Sequence, residues 1–113
     1  IEGGKHMDSM EVAMGLIAQA GDARSSCMEA IGLAKEGKFD EAREALGRAD
    51  DGMVAAHEIQ TDLIREEMSG NSAPVSLLMV HAQDHLNLAL VMRDVADEFL
   101  QVHQKLIELE GKG

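Results

Sequence analysis

Residues 75–110 read VSLLMVHAQDHLNLALVMRDVADEFLQVHQKLIELE. Within them Leu78, His81, His85, Leu88, Met92, Val95, Phe99, Val102, Leu106 and Leu109 follow one another in steps that alternate three and four. That rhythm is the seam of a long helix packed on other helices. Pro74 suits its first turn, where a missing N–H costs nothing, so a helix is predicted from about Pro74 to Glu110. The 18 positions from Val75 to Met92 hold a single formal charge, Asp84. Met79, Ala82, Leu86, Ala89 and Leu90 cover the faces that the seam leaves, so this half is apolar nearly all round. After Arg93 the charges fall off the seam, at Asp94, Asp97, Glu98, Lys105 and Glu108, and the pattern turns amphipathic.

Upstream, Ser69-Gly70-Asn71-Ser72 is turn chemistry. A second helix is predicted from Asp40 to Met68, with Asp40 as its N-cap and Ala42, Leu46, Ala49, Met53, Ala56 and Leu63 as its buried stripe. The alanines let neighbouring helices approach closely. Gly37 suits a C′ position, because it takes a left-handed conformation without a Cβ clash. A first helix is predicted from Asp8 to Glu36, capped by Asp8 or Ser9, with Met10, Ala13, Met14, Ile17, Ala20, Cys27, Ile31 and Ala34 on its apolar face. Gly21 within it either weakens the helix interior, by about 1 kcal/mol relative to alanine, or marks a point of close helix contact. Three helices joined by short turns make an all-α, antiparallel three-helix bundle. A bundle of three leaves one side of each helix in water, so a third helix that is apolar all round needs a further partner. In a chain of 113 residues that partner is another subunit, and a homo-oligomer is expected with the start of the third helix at the interface.

The chain carries a formal net charge of −11 and no basic stripe, and its aromatics are two Phe, which excludes a base-stacking nucleic-acid surface. Cys27 stands alone, so no disulfide framework exists, and it is expected as a small core residue. Polar residues interrupt Val75–Met92 too often for a membrane span, and a soluble, cytoplasmic protein is expected. Residues 1–6 (IEGGKH) read as an expression remnant ahead of a native start at Met7. Residues 7–113 then form a single domain, and His6 is set aside as a ligand.

Val80-His81-Ala82-Gln83-Asp84-His85 places two imidazoles and a carboxylate in one buried-looking turn. Three chemistries fit. Seam histidines can be satisfied core residues. His81 and His85, four apart, have a helical zinc-ligand spacing. A neutral imidazole can also attack a phosphoryl group and hold it, with an acceptor on its second nitrogen fixing the tautomer. No glycine-rich phosphate loop is present, so such a protein would relay phosphate without a nucleotide.

The stretch Val80-His81-Ala82-Gln83-Asp84-His85-Leu86 resembles the active-site signature of the lactose/cellobiose-type enzyme IIA components of the bacterial sugar phosphotransferase system. Met14-Gly15-Leu16-Ile17, Gly21-Asp22-Ala23-Arg24-Ser25 and residues 56–64 are similar to that family too, while Asn87-Leu88 departs from it. The resemblance implies a homotrimer of three-helix bundles. It implies a phosphoryl group accepted from HPr on His81 and passed to a cysteine of enzyme IIB, for uptake of a lactose-, cellobiose- or chitobiose-type sugar. It implies that Asp84 meets its symmetry mates near the threefold axis, where one magnesium ion per trimer would offset their repulsion, with Gln83 beside that site. His85 is then expected to orient His81 or to pack, and His57 to be a satisfied core histidine or an active-site neighbour across the subunit interface. The rival readings are a non-enzymatic oligomeric helical adaptor and a metal-binding bundle.

Overall fold

The computed structural model describes residues 9–71 and 74–112. The expectations placed on residues 1–8, the expression remnant and an Asp8 cap among them, lie outside the described residues. Three helices follow in order: α1 (Ser9–Lys35), α2 (Phe39–Met68) and α3 (Leu77–Lys112). The described residues contain no strand. The antiparallel all-α bundle is therefore the fold, with α1 packed on both other helices and α2 and α3 in the least extensive contact.

The helix ends follow from local chemistry. Gly37 has φ +80°, and around it the Lys38 N–H donates to the Leu33 carbonyl and the Gly37 N–H to the Ala34 carbonyl. Gly70, at φ +93°, does the same for α2, with the Asn71 N–H donating to Glu66 and the Gly70 N–H to Glu67. Both are glycine caps that satisfy carbonyls the helix leaves open. α2 begins one residue earlier than expected, so Asp40 lies in its first turn and Lys38 holds the cap position without a side-chain bond. Pro74 lies outside α3. Ser76 caps that helix, its Oγ accepting the Met79 N–H at 3.1 Å. A hydroxyl that satisfies an orphan N–H sets this boundary more strongly than the tolerance of proline for a first turn.

Twelve of the nineteen buried residues among those described are alanine. Of the expected α2 stripe, Ala42, Leu46, Ala49, Met53 and Ala56 are buried and Leu63 is half-buried. On α1 the buried line is Val12, Ala13, Leu16, Ala20, Ala23, Cys27, Ala30 and Ala34, while Met10 and Met14 lie exposed. Gly21 has nothing within 4 Å of where a Cβ would stand, so it marks no close contact; Gly52 is the glycine that approaches α1, near the Gln19 carbonyl. On α3 the residues turned to the core are Ala82, Leu86, Ala89, Ala96 and Leu100. The three–four seam read from the sequence is not that line. Leu88, Val95, Phe99, Val102, Leu106 and Leu109 are all exposed on the single chain. The exposed apolar face also continues past Arg93 to Leu109, so it is not confined to the start of the helix. Small residues won the core because a narrow interhelical space excludes branched side chains on the opposite face.

Among the described residues one ion pair ties α2 to α3. The Arg93 guanidinium donates to both carboxylate oxygens of Asp50, through Nε at 2.5 Å and Nη2 at 3.0 Å. That bond holds the Arg93 guanidinium above its ordinary range. Burial raises the Cys27 thiol for a different reason, since a thiolate loses its solvation there.

Leu86 is fully buried, and Leu86→Ala is expected to cost about 2–5 kcal/mol, measured by urea denaturation, because alanine neighbours cannot expand to fill the void. Cys27 is expected to react with a thiol reagent only as fast as the protein opens. Modification of native protein at the rate of a free thiol would contradict the burial seen here.

Candidate functional site

The site lies on the first three turns of α3, where the Ser76 cap starts the helix one turn before His81. Successive residues on a helix point about 100° apart, so the five residues of the signature divide among different faces. Ala82 goes to the core. Gln83 turns toward α2, where its Oε1 accepts from Gln60 Nε2 at 2.7 Å. Asp84 stands exposed. His81 is exposed and His85 is half-buried. The signature looked like a buried polar cluster, but the single chain leaves both His81 and Asp84 open to solvent. The apolar residues near them in sequence belong largely to the same exposed face.

His81 and His85 are brought together. Their Nε2 atoms are 3.0 Å apart, a hydrogen bond between the two rings. The ring centroids are 4.4 Å apart and the planes are nearly perpendicular, at 88°. One ring donates and the other accepts, so the pair shares one hydrogen. His85 lines a groove of about 340 Å³ between α1 and α3, with Ala20, Arg24, Leu88, Val91, Met92 and Val95. Arg24 is the one arginine without a carboxylate partner among the described residues: Arg43, Arg48, Arg65 and Arg93 are all paired. The periodicity of α3 could not have singled it out, because Arg24 reaches the groove from α1.

Asp84 is not joined to His81. It occupies an exposed stripe with Leu77, Val80, Leu88, Val91, Val95, Phe99 and Val102, and it is the polar member of that row. Gln83 points to the other side of the helix and does not share Asp84's face, which corrects its placement beside that carboxylate. His57 is also corrected. It is exposed rather than a core residue, and lines an open groove of about 560 Å³ between α2 and α3 with Asp50, Met53, Val54, Glu58, Leu90, Arg93 and Asp94. Alanines fill the core positions of α2 and leave an imidazole at position 57 outside.

No group of three or more His, Cys, Asp or Glu side chains gathers into a metal centre among the described residues. Asp84 is the carboxylate set between Val80 and Leu88 in the exposed apolar stripe.

The profile described as "PTS system, Lactose/Cellobiose specific IIA subunit" matches residues 11–104. The chain belongs to the lactose/cellobiose-specific IIA family of the phosphotransferase system. It is 42% identical over 101 residues to the lichenan-specific phosphotransferase enzyme IIA component of Bacillus subtilis, covering 89% of this chain and 92% of the relative. It is 38% identical over 96 residues to the N,N'-diacetylchitobiose-specific EIIA component of Escherichia coli, covering 85% and 83%. Its fold matches the crystal structure of the cellobiose-specific enzyme IIA from Bacillus anthracis with a TM-score of 0.87 and 40% identity, over 96% of each chain. It matches IIA(chitobiose) in a solution structure of that protein's complex with HPr with a TM-score of 0.78 and 35% identity, over 89% and 98%. A phosphotransferase-system IIA component is therefore what the fold carries. No helix among the described residues is long and apolar enough to cross a membrane.

The Gln60–Gln83 bond is the α2–α3 tie nearest the site. Gln60→Ala is expected to lower stability by about 1 kcal/mol, read as a shift in the thermal midpoint, and to leave the His81–His85 contact intact, read from the imidazole resonances.

Proposed function

We propose that this chain is a cytoplasmic phosphocarrier that accepts a phosphoryl group from HPr on His81 and passes it to enzyme IIB, for uptake of a lactose-, cellobiose- or chitobiose-type sugar. The observation that carries the reading is the His81 imidazole, exposed for a partner protein and held at one ring nitrogen by His85. In the first transfer a lone pair on His81 attacks phosphorus while the N–P bond of the donor breaks, its electron pair staying on the donor nitrogen. In the second, the phosphoryl group leaves His81 for the IIB cysteine. Both steps exchange one phosphoryl bond for another, so no nucleotide is needed. The open position of His81 suits a residue that must serve donor and acceptor in turn. The HPr complex of a structural neighbour supports the donor.

The assembly we propose is a homotrimer built on the exposed stripe of α3. A row from Leu77 to Leu109, apolar except at Asp84, is poorly suited to water and well suited to its own copies. Three Asp84 carboxylates at the axis would repel one another. An oxygen-only donor set fits magnesium, and such an ion would screen that repulsion. Asp84 suits this role because it is unpaired among the described residues and stands on the stripe.

Incubation with enzyme I, HPr and phosphoenolpyruvate is expected to add the mass of one acid-labile phosphate. His81→Ala should abolish the gain while sedimentation shows the same oligomer. Labelled phosphate on that variant would sink the assignment, and an unlabelled wild type would favour a non-enzymatic adaptor. Asp84→Leu is expected to keep or strengthen the trimer and to remove its response to magnesium or chelator, both read by sedimentation velocity. Failure of Asp84→Leu to fold would show that the carboxylate has another structural partner.

A further inference from the structure

Arg24 has no carboxylate partner among the described residues, although the chain has a formal net charge of −11. Its setting is apolar. Met14, Ile17, Gly21, Arg24, Met28 and Ile31 follow one another along α1 in steps that alternate three and four, and Arg24 is the one charge in that row. Met14 and Met28 are each about half exposed, so the row lies outside the core. Arg24 lines the α1–α3 groove together with Leu88, Val91 and Val95, which belong to the exposed α3 stripe. The stripe therefore continues onto α1 at Arg24.

The opposite flank of α3 carries the opposite charge. The α2–α3 groove is lined by the apolar Met53, Val54 and Leu90 and by three carboxylates, Asp50, Glu58 and Asp94, against Arg93 and His57. Arg93 is committed to Asp50. The Asp94 side chain is 82% exposed, and its contact with Arg93 is 3.7 Å long, too far for a hydrogen bond. The two grooves lie at one height on the bundle, since α3 contributes residues 85–95 to the first and residues 90–94 to the second.

We infer that these two flanks pack on each other between neighbouring copies of this chain, the Arg24 guanidinium of one copy pairing with the Asp94 carboxylate of the next. The inference rests on the reading of the assembly as a homotrimer about the α3 stripe. Copies whose Asp84 residues meet at an axis hold them at equal height, so that axis runs along α3. Rotation about it preserves height and turns the α1 side of each copy toward the α2 side of its neighbour. Such a contact is heterologous, joining two different faces, and it closes into a ring. Arg24 then reaches its carboxylate across the boundary, at the level where its own chain offers none. Both copies are acidic, so an attractive pair at the boundary offsets part of their repulsion and fixes which flanks meet.

The test reverses the charges. Arg24→Glu and Asp94→Arg are each expected to weaken self-association roughly tenfold or more, because like charges then face each other. The double variant Arg24→Glu/Asp94→Arg should recover most of the loss. Arg65→Glu changes the net charge as Arg24→Glu does, but lies outside both grooves and should assemble as wild type. Sedimentation over a dilution series and the rate of subunit exchange between labelled and unlabelled protein provide the readouts, and circular dichroism verifies the fold. If a reversal does not fold, Arg24→Gln and Asp94→Asn carry the comparison, with smaller losses expected. Single reversals that assemble as wild type, a double variant no better than the singles, or an Arg65→Glu defect equal to that of Arg24→Glu would each overturn the inference while leaving the homotrimer in place. A wild type that stays monomeric at every concentration overturns both.

Discussion

Close packing of three helices over alanine is the constraint from which the rest of the structure follows. An alanine-lined core brings helix axes near one another, and only a few larger residues, Leu16, Cys27 and Leu86 among them, are fully enclosed. The chain nevertheless contains many large aliphatic residues. With little room inside, they are displaced outward, and on α3 they align into one continuous exposed stripe from Leu77 to Leu109. The narrow core and the apolar exterior are thus two consequences of one distribution of side-chain volume.

That distribution also shapes the site. Ala82 and Leu86 commit one face of α3 to the core, and the rotation of the helix then assigns every other residue of the signature. Gln83 is directed to Gln60 on α2, His85 to the α1 groove, and Asp84 to the exposed stripe. His81 falls between the groove and the stripe. A single turn of helix therefore carries the His81 imidazole, the His85 ring bonded to it and the exposed Asp84 carboxylate in different directions. The Ser76 cap begins the helix just ahead of this turn, where the Met79 N–H would otherwise lack an acceptor.

Charge is handled separately from packing. Ion pairs lie at the exposed or half-exposed edges of the bundle, where water screens them, and Arg93 with Asp50 is the strongest tie between α2 and α3. The core itself holds no buried charged residue among those described. The charged residues therefore contribute little to the core packing that sets the fold.

The helices, their turns and the family were legible in the sequence, because periodicity, glycine caps and the motif His81-Ala82-Gln83-Asp84-His85 are local properties. The α2 stripe was legible for the same reason. The face of α3 that enters the core was not. Two apolar rows run side by side along that helix, and spacing alone favours the row of larger residues, while the width of the gap between helices selects Ala82, Ala89 and Ala96. Exposure of His57, the turn of Gln83 toward Gln60 and the meeting of Arg24 and His85 in one groove depend likewise on neighbours remote in the chain. What the sequence by itself determined was which residues carry chemistry and that they share one turn of helix. The tertiary structure decided which of them touch, since rotation of α3 about its axis is set by packing against α1 and α2 rather than by the order of its residues.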